Sequence, residues 1–312
     1  MSTTHTDISW TDATWNPVRG CSRVSPGCDN CYAMGQAHRF AGPGKPYDGL
    51  TTIRRGKVDW TGKARFIPGA LTEPMRWKKP RRIFVNSMSD LFHHSLTNEE
   101  IAAVFGVMAV CPQHTFQVLT KRPDRMLEWF RWANSWAFDR VLCHADDALK
   151  GSGIAYAHLA WGGRGGRPPI WPLQNVWLGV SVEDQATADK RIPLLLETPA
   201  AVRFISAEPL LERVDLRYSA FNGADSLESL AGLDWVIVGG ESGHGARPCH
   251  VQWIRSIVQQ CKDASVACFV KQLGGLPVDI VGKRIALADK KGGDPAEWSE
   301  DLRVRQFPEK KQ

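Results

Sequence analysis

Trp235-Val-Ile-Val-Gly-Gly240 is a run of four apolar residues that stops at two glycines. It shows no apolar–polar alternation, so a strand built from it is covered on both faces, the situation of a parallel sheet between helices. Five further runs have the same character: Ile83-Phe-Val-Asn-Ser87, Phe116-Gln-Val-Leu-Thr120, Val176-Trp-Leu-Gly-Val-Ser-Val182, Val202-Arg-Phe-Ile-Ser206 and Cys268-Phe-Val-Lys-Gln272. Successive starts lie 33, 60, 26, 33 and 33 residues apart, the length of a strand–helix unit except at one long gap. Ile8-Ser-Trp10 reads as an additional first strand.

Helical patterns fall between the runs. Thr97 with Glu100 three residues on is a capping-box signature ahead of the apolar stretch 101–109. Pro123 opens another helix, 183–196 and 250–261 supply two more, and 226–230 is a weak one. The expected fold class is therefore α/β, a partial (β/α) barrel of about six or seven parallel strands, with a doubly wound open sheet as the alternative. The 33-residue recurrence also suggests a solenoid, but the units share no side-chain consensus. One domain is expected over 1–273. It holds a cysteine loop (16–32), a short helix (32–40), a basic insertion (39–82) and a variable insertion (131–175) to which no structure is assigned. Within the basic insertion, 58–66 reads as a hairpin turning at Thr61-Gly62. A polar appendage follows over 274–312, with a turn at 290–295.

Of the 312 residues, 43% are hydrophobic and 23% charged, the composition of a soluble globular chain. The first residues are polar without a signal-peptide pattern, and no apolar run is long enough to span a bilayer, so a cytoplasmic protein without membrane contact is expected. Cys111, Cys143, Cys249, Cys261 and Cys268 are scattered, as in a reducing compartment. Net charge is +6, yet 39–82 holds twelve Lys/Arg against three acids, leaving the remainder near −3. That asymmetry points to an anionic partner, nucleic acid first, or to a solvated basic surface. Trp60, Phe66 and Trp77 interleave with the charges and suit either base stacking or anchoring of the insertion.

The cysteine loop runs Asn16-Pro-Val-Arg-Gly-Cys21-Ser-Arg-Val-Ser-Pro-Gly-Cys28-Asp-Asn-Cys31-Tyr32. Cys21, Cys28 and Cys31 have spacing C-x6-C-x2-C, and thiolates this close suit zinc or an iron–sulfur cluster. Three ligands would leave one iron of a 4Fe–4S cluster open. The other readings are a zinc site completed by His38, or three unrelated cysteines. Ligands of parallel α/β folds bind at the carboxyl ends of the strands. Here those ends carry Asn86-Ser87 with Asp90, Thr120-Lys121-Arg122, Ser181 with Glu183, Ser206 with Glu208, Gly239-Gly240-Glu241-Ser242 and Lys271-Gln272. Lys121, Glu208 and Lys271 are the catalytic candidates, although either lysine could simply pair with Glu208 or Glu241. Gly239 and Gly240 would let a cofactor approach the backbone, Glu241 would receive an ammonium group, and Ser181 and Ser206 complete that candidate set. A tight turn with a solvated Glu241 is the plainer alternative. His93-His94 could supply ligands or acid–base groups, or serve only as surface or capping residues. No GxxxxGK[ST], HExxH or GxSxG motif is present, so nucleotide triphosphatase, zincin and hydrolase readings lack support.

A cysteine triplet after the first strand of a partial barrel resembles the radical S-adenosylmethionine enzymes. The resemblance implies a 4Fe–4S cluster on Cys21, Cys28 and Cys31, with S-adenosylmethionine on the open iron. One electron into its sulfonium would release methionine and a 5′-deoxyadenosyl radical; the reductant would be a flavodoxin or ferredoxin. The first gap of six differs from that superfamily's usual three, and Gly-Gly-Glu ends the sixth strand, counting Ile8-Ser-Trp10 as the first, instead of following the second strand. More closely, the chain resembles a phage- and prophage-associated family named after gene products thirty-seven and sixty-eight. The matching stretches are Trp10-Thr-Asp-Ala-Thr-Trp-Asn-Pro17, Pro26-Gly-Cys28-Asp-Asn-Cys31-Tyr32, Phe84-Val-Asn-Ser-Met-Ser-Asp-Leu-Phe92, Leu119-Thr-Lys-Arg-Pro123, Trp177-Leu-Gly-Val-Ser-Val-Glu183, Ala207-Glu-Pro-Leu210 and Val236-Ile-Val-Gly-Gly-Glu-Ser-Gly243. The expected function is an iron–sulfur enzyme of radical S-adenosylmethionine type acting on an anionic nucleotide or nucleic-acid substrate. The alternative is a non-catalytic zinc or iron–sulfur protein that binds nucleic acid.

Overall fold

A computed structural model describes residues 6–134, 137–150, 171–217, 228–243 and 245–309. The chain is α/β with a seven-stranded parallel sheet, compatible with the expected partial barrel. It divides into two compact units, one of Met1–Val24, Cys31–Leu178 and Thr198–Ala201, the other of Ser25–Asn30, Gly179–Glu197 and Val202–Gln312.

The first unit holds β1 (Ala13–Trp15), β2 (Val18–Arg19), α1 (Tyr32–Arg39), β3 (Thr51–Arg54), β4 (Lys57–Trp60), β5 (Arg65–Phe66) and β6 (Arg82–Val85). Next come α2 (Asn98–Ala109), β7 (Thr115–Thr120), α3 (Pro123–Asn134), α4 (Ala137–Leu149) and the start of β8 (Val176–Ser181). β1, β6, β7 and β8 are neighbours in that order. The first strand is not at Ile8-Ser-Trp10 as expected. There the Thr11 amide donates to Ile8 O (3.2 Å), closing a turn, and the Trp10 ring packs on Phe84 at 4.7 Å. Pairing starts at Ala13, opposite Ile83.

The basic insertion also turns at a different place. Its hairpin is β3–β4, with Arg55 and Gly56 at φ 50° and 74°, so both central residues lie at positive φ as a two-residue type I′ turn requires. Arg-Gly is a weaker signal than Asn-Gly, and β5 pairs with β2 instead of closing the hairpin expected at Thr61-Gly62. Trp60 and Trp77 are buried, so they anchor this segment and their faces are closed to a base.

The capping box forms as read: Thr97 Oγ1 accepts from the Glu100 amide (3.2 Å), and the Glu100 carboxylate accepts from the Thr97 amide (2.9 Å). α2 is buried along nearly its whole length because α4 covers it, and α4 falls in the insertion left without structure. Residues 151–170 of that insertion lie outside the described residues.

The second unit holds the end of β8, α5 (Gln185–Glu197), β9 (Val202–Ala207), α6 (Glu228–Ala231), β10 (Trp235–Gly239), β11 (Cys249–His250), α7 (Val251–Asp263), β12 (Ala267–Gln272) and β13 (Pro277–Val278). β8, β9, β10 and β12 are neighbours in that order. Residues 226 and 227 of the weak helix lie outside the described residues. Past β12 the chain returns to that strand's free edge: the Val270 amide donates to Val304 O and the Gln306 amide to Cys268 O, each at 2.8 Å. Among the described residues no helix is long and apolar enough to cross a membrane.

Candidate functional site

In the first unit the cysteine loop meets the end of β7. Arg122 leaves the strand just before Pro123 opens α3, and its guanidinium turns onto Asp90 in the loop after β6. Asp90 accepts from Arg122 Nη1 (2.7 Å), Thr120 Oγ1 (2.7 Å), the Lys121 amide (3.1 Å) and the Phe92 amide (3.0 Å). Both side chains of the pair are over nine-tenths buried. Such a pair is a weak source of net stability but is costly to break, so its effect is to fix where the cation sits. Arg122 Nη2 donates to Ser22 O and Oγ, both at 2.9 Å, and Nη1 lies 3.9 Å from Cys21 Sγ. Burial pushes the Cys21 thiol up to about 12; Arg122 opposes the shift, while Asp90 and Cys31 add to it. Cys21 and Cys31 pack on one cluster, formed by Ala33, Met34, Ala37, Tyr47, Leu50 and Trp60.

His93 is fully buried below Ser22. Its Nδ1 accepts from the Ser95 amide (3.1 Å), which leaves the proton on Nε2 to donate to Ser22 Oγ (3.0 Å). Burial, with Arg122 and His94 acting in the same direction and Asp90 against them, depresses its pKa to about 4. His93 is thus a neutral support for the loop, stacked on His94 at 4.2 Å. His38, the expected fourth zinc ligand, bonds through Nδ1 to Thr51 Oγ1 (3.0 Å). Asn86, at the end of β6, sits at φ 62°. Its Oδ1 accepts from the Val18 amide (3.3 Å), which fixes the amide's orientation and leaves Nδ2 buried without a protein partner.

In the second unit the piece Ser25–Asn30 rests on the ends of β8 and β10. Glu183, wholly buried, pairs with Arg191 of α5 (Nη1 to Oε2 3.0 Å), and Ser25 Oγ donates to Glu183 Oε1 (3.1 Å). Arg191 also donates to Ser181 O (2.8 Å). A Cβ on Gly27 would overlap the Glu183 side chain, so the loop approaches this closely only with glycine there. Glu241 takes both arms of Arg247 (Nε 3.0 Å, Nη2 2.6 Å) and Asn30 Nδ2 (2.9 Å). Burial alone would raise its carboxyl, but the hydrogen bonds from Arg247 and Asn30 hold it below the usual range. Arg247 Nη1 also donates to Pro26 O (3.0 Å) and lies 3.7 Å from Asp29. Cys28 is buried, with Ser25 Oγ 4.0 Å from its sulfur.

The remaining candidates are placed by the same strand ends. Lys271 pairs with Glu208 (2.5 Å), the plainer of the roles foreseen for that lysine, and Gln272 Nε2 donates to Glu208 at 3.2 Å. Ser206 is buried, its carbonyl accepting from the Val182 amide (2.8 Å). The spaces beside Gly239 and Gly240 are filled by Gln272 and by Leu273 with Cys249, so both glycines serve close packing. Lys121 contributes its amide to Asp90.

Of the three arginines that hold the loop, Arg122 stands in the sequence only as one of the polar groups at the strand ends, and Arg191 and Arg247 are not among the candidates. Arg191 left a signal there: it shares a helix stripe with Ala188 and Leu195, and an arginine on a buried stripe calls for a carboxylate. Arg247 left none. The donor chemistry suits a soft metal, since Cys21, Cys28 and Cys31 are all free thiols and a guanidinium stands by to offset thiolate charge. Among the described residues no three His, Cys, Asp or Glu are grouped to hold a metal ion. No curated protein and no solved structure matches the chain. The family described as "Protein of unknown function (DUF5131)" matches residues 5–300, and the chain belongs to that family.

Proposed function

We propose that the chain is an iron–sulfur enzyme of radical S-adenosylmethionine type, with Cys21, Cys28 and Cys31 as cluster ligands and a nucleotide or nucleic acid as substrate. The observation that carries this reading is the fastening of the cysteine loop by three arginine–carboxylate pairs at the carboxyl ends of parallel strands: Arg122–Asp90, Arg191–Glu183 and Arg247–Glu241. The first two pairs are over nine-tenths buried; taking charges out of water is expensive, and a plain connection between two elements has no need of it. The resemblance to the radical S-adenosylmethionine enzymes and to the phage-associated family supports the same reading.

A 4Fe–4S cluster held by Cys21, Cys28 and Cys31 would supply single electrons to a bound cofactor. The residues of this chain hold and tune. Arg122, kept in place by Asp90, sets positive charge beside Cys21, and the raised thiol pKa means that metal uptake there must displace a proton. Glu241 is committed to Arg247 and Asn30, so its work is to hold residues 26–30, and the cofactor's ammonium must find another acceptor.

Anaerobic purification followed by iron and sulfide analysis and EPR of the reduced protein tests the proposal. A cluster signal that changes on adding S-adenosylmethionine, and 5′-deoxyadenosine released after reduction by dithionite or a flavodoxin, is the expected result. One tightly held zinc, with no cluster after reconstitution, overturns the enzyme reading in favour of a non-catalytic nucleic-acid-binding metalloprotein.

A further inference from the structure

Ten of the twelve Lys/Arg side chains in 39–82 are exposed, and the β3–β4 hairpin projects three of them together. Arg54 and Lys57 are directly opposed across the strands, with Arg55 at the turn between them. Like charges directly opposite destabilise a two-stranded sheet. Asp59, two residues along on the same face as Lys57, is hydrogen-bonded by Arg23 (2.8 Å), so the acid that Arg54 feels is already shared. The hairpin is nonetheless firmly seated. Trp60 at its base is 5% exposed in a cluster with Met34, Ala37, Tyr47 and Leu50, and α1 packs on both strands. A rigid mount that presents mutually repelling cations calls for anions from outside the chain.

A second feature names the anion. Phe40, which caps α1 beside exposed Arg39, is 55% exposed, an aromatic face left in water within the basic segment. Phosphates satisfy the cations and an unpaired base satisfies the ring; a duplex offers only the first. We propose that the β3–β4 hairpin and Phe40 form a docking surface for single-stranded nucleic acid. Arg54, Arg55 and Lys57 engage phosphates and Phe40 stacks a base. The surface lies within the first unit and does not depend on the cysteine loop holding a metal.

Fluorescence anisotropy with a labelled single strand of about 16 nucleotides tests this across a salt series on the protein as isolated. Reversing Arg54, Arg55 and Lys57 to Glu should weaken binding and flatten the log–log salt slope by about 2, three contacts at about 0.7 each. Phe40→Ala should leave the slope alone and weaken binding roughly 5- to 150-fold, the equivalent of one stacked base. Reversing exposed Lys290 and Lys291 to Glu is the control and should change neither. Wild-type slope in the triple variant, an equal loss in the control, or a duplex bound as tightly as the single strand would each overturn the proposal. Binding that persists in protein shown to lack a cluster upholds it and bears only on the enzyme reading.

Discussion

His93 shows how burial of one side chain becomes a property of the whole fold. Its pKa in the folded chain is near 4 against an ordinary 6.5, so the folded state keeps it neutral while the unfolded state takes up a proton below about 6.5. The stability this histidine confers is present above pH 6.5 and is lost as pH falls towards 4, up to about 3 kcal/mol in all. His93→Gln keeps an N–H near Ser22 but cannot titrate. It should lower stability overall and flatten the fall in urea midpoint between pH 7 and pH 4. Glu241, whose carboxyl is also depressed, loses stability on acidification in both proteins, so the difference between the two profiles isolates His93. Parallel profiles would show that the imidazole titrates in the folded chain as it does in the unfolded one, and that burial does not hold it neutral.

α2 and α4 set two effects of one glycine against each other. On helix propensity alone, Gly106→Ala inside α2 should stabilise by about 1 kcal/mol. A Cβ there, however, would overlap that of Ala145 on α4 and approach Val141 O to 2.9 Å. Overpacking of this kind costs about 1–3 kcal/mol, so the steric term should win and Gly106→Ala should lower the melting temperature. Adding Ala145→Gly should recover most of the loss, and a stabilised single variant would mean that the helices separate without cost. The apolar sequence of α2 already showed that something had to cover it, but the partner was not legible. α4 has apolar residues at helical spacing, Ala137, Val141, Ala145 and Leu149 among them, but its pairing with α2 depends on one missing methyl group, which no periodicity announces. The six apolar runs were legible for the opposite reason, since burial on both faces leaves a continuous signature. The same contrast divides the candidate site. The cysteines and strand-end carboxylates announce themselves by type and position, whereas Arg247 is recognisable only once the chain has brought it back to Glu241 and Pro26.

Across the whole molecule, the ends of a parallel sheet are where association must be prevented. Residues 304–307 read as part of a polar tail, yet they bond to the outer edge of β12 through Val304 O and the Gln306 amide. Phe307 lies 5.2 Å from Trp235 and 5.4 Å from Phe269. Segments this short carry no periodicity, so only the folded chain shows what they cover. Removing 304–312 should expose two ladder groups and two aromatic faces together. Each hydrogen bond contributes about 0.5–1.5 kcal/mol and each ring pair a similar amount, so unfolding should come several degrees earlier. The larger effect should be self-association through the bared edge. Net charge opposes it: the deletion removes three cations and one acid, taking +6 to +4, and that repulsion is strong only at low salt. Light scattering at about 0.15 M salt should therefore show the shortened chain at a higher association state than the full chain, rising with concentration. Gln306→Pro in the full-length chain, which removes the amide donor and the side-chain Oε1 that accepts from the Cys268 amide (3.1 Å) but keeps Val304 and Phe307, should show the same trend more weakly. A shortened chain with the association state and melting temperature of the full chain would mean that β12 needs no cover, and that 304–309 merely rests on it.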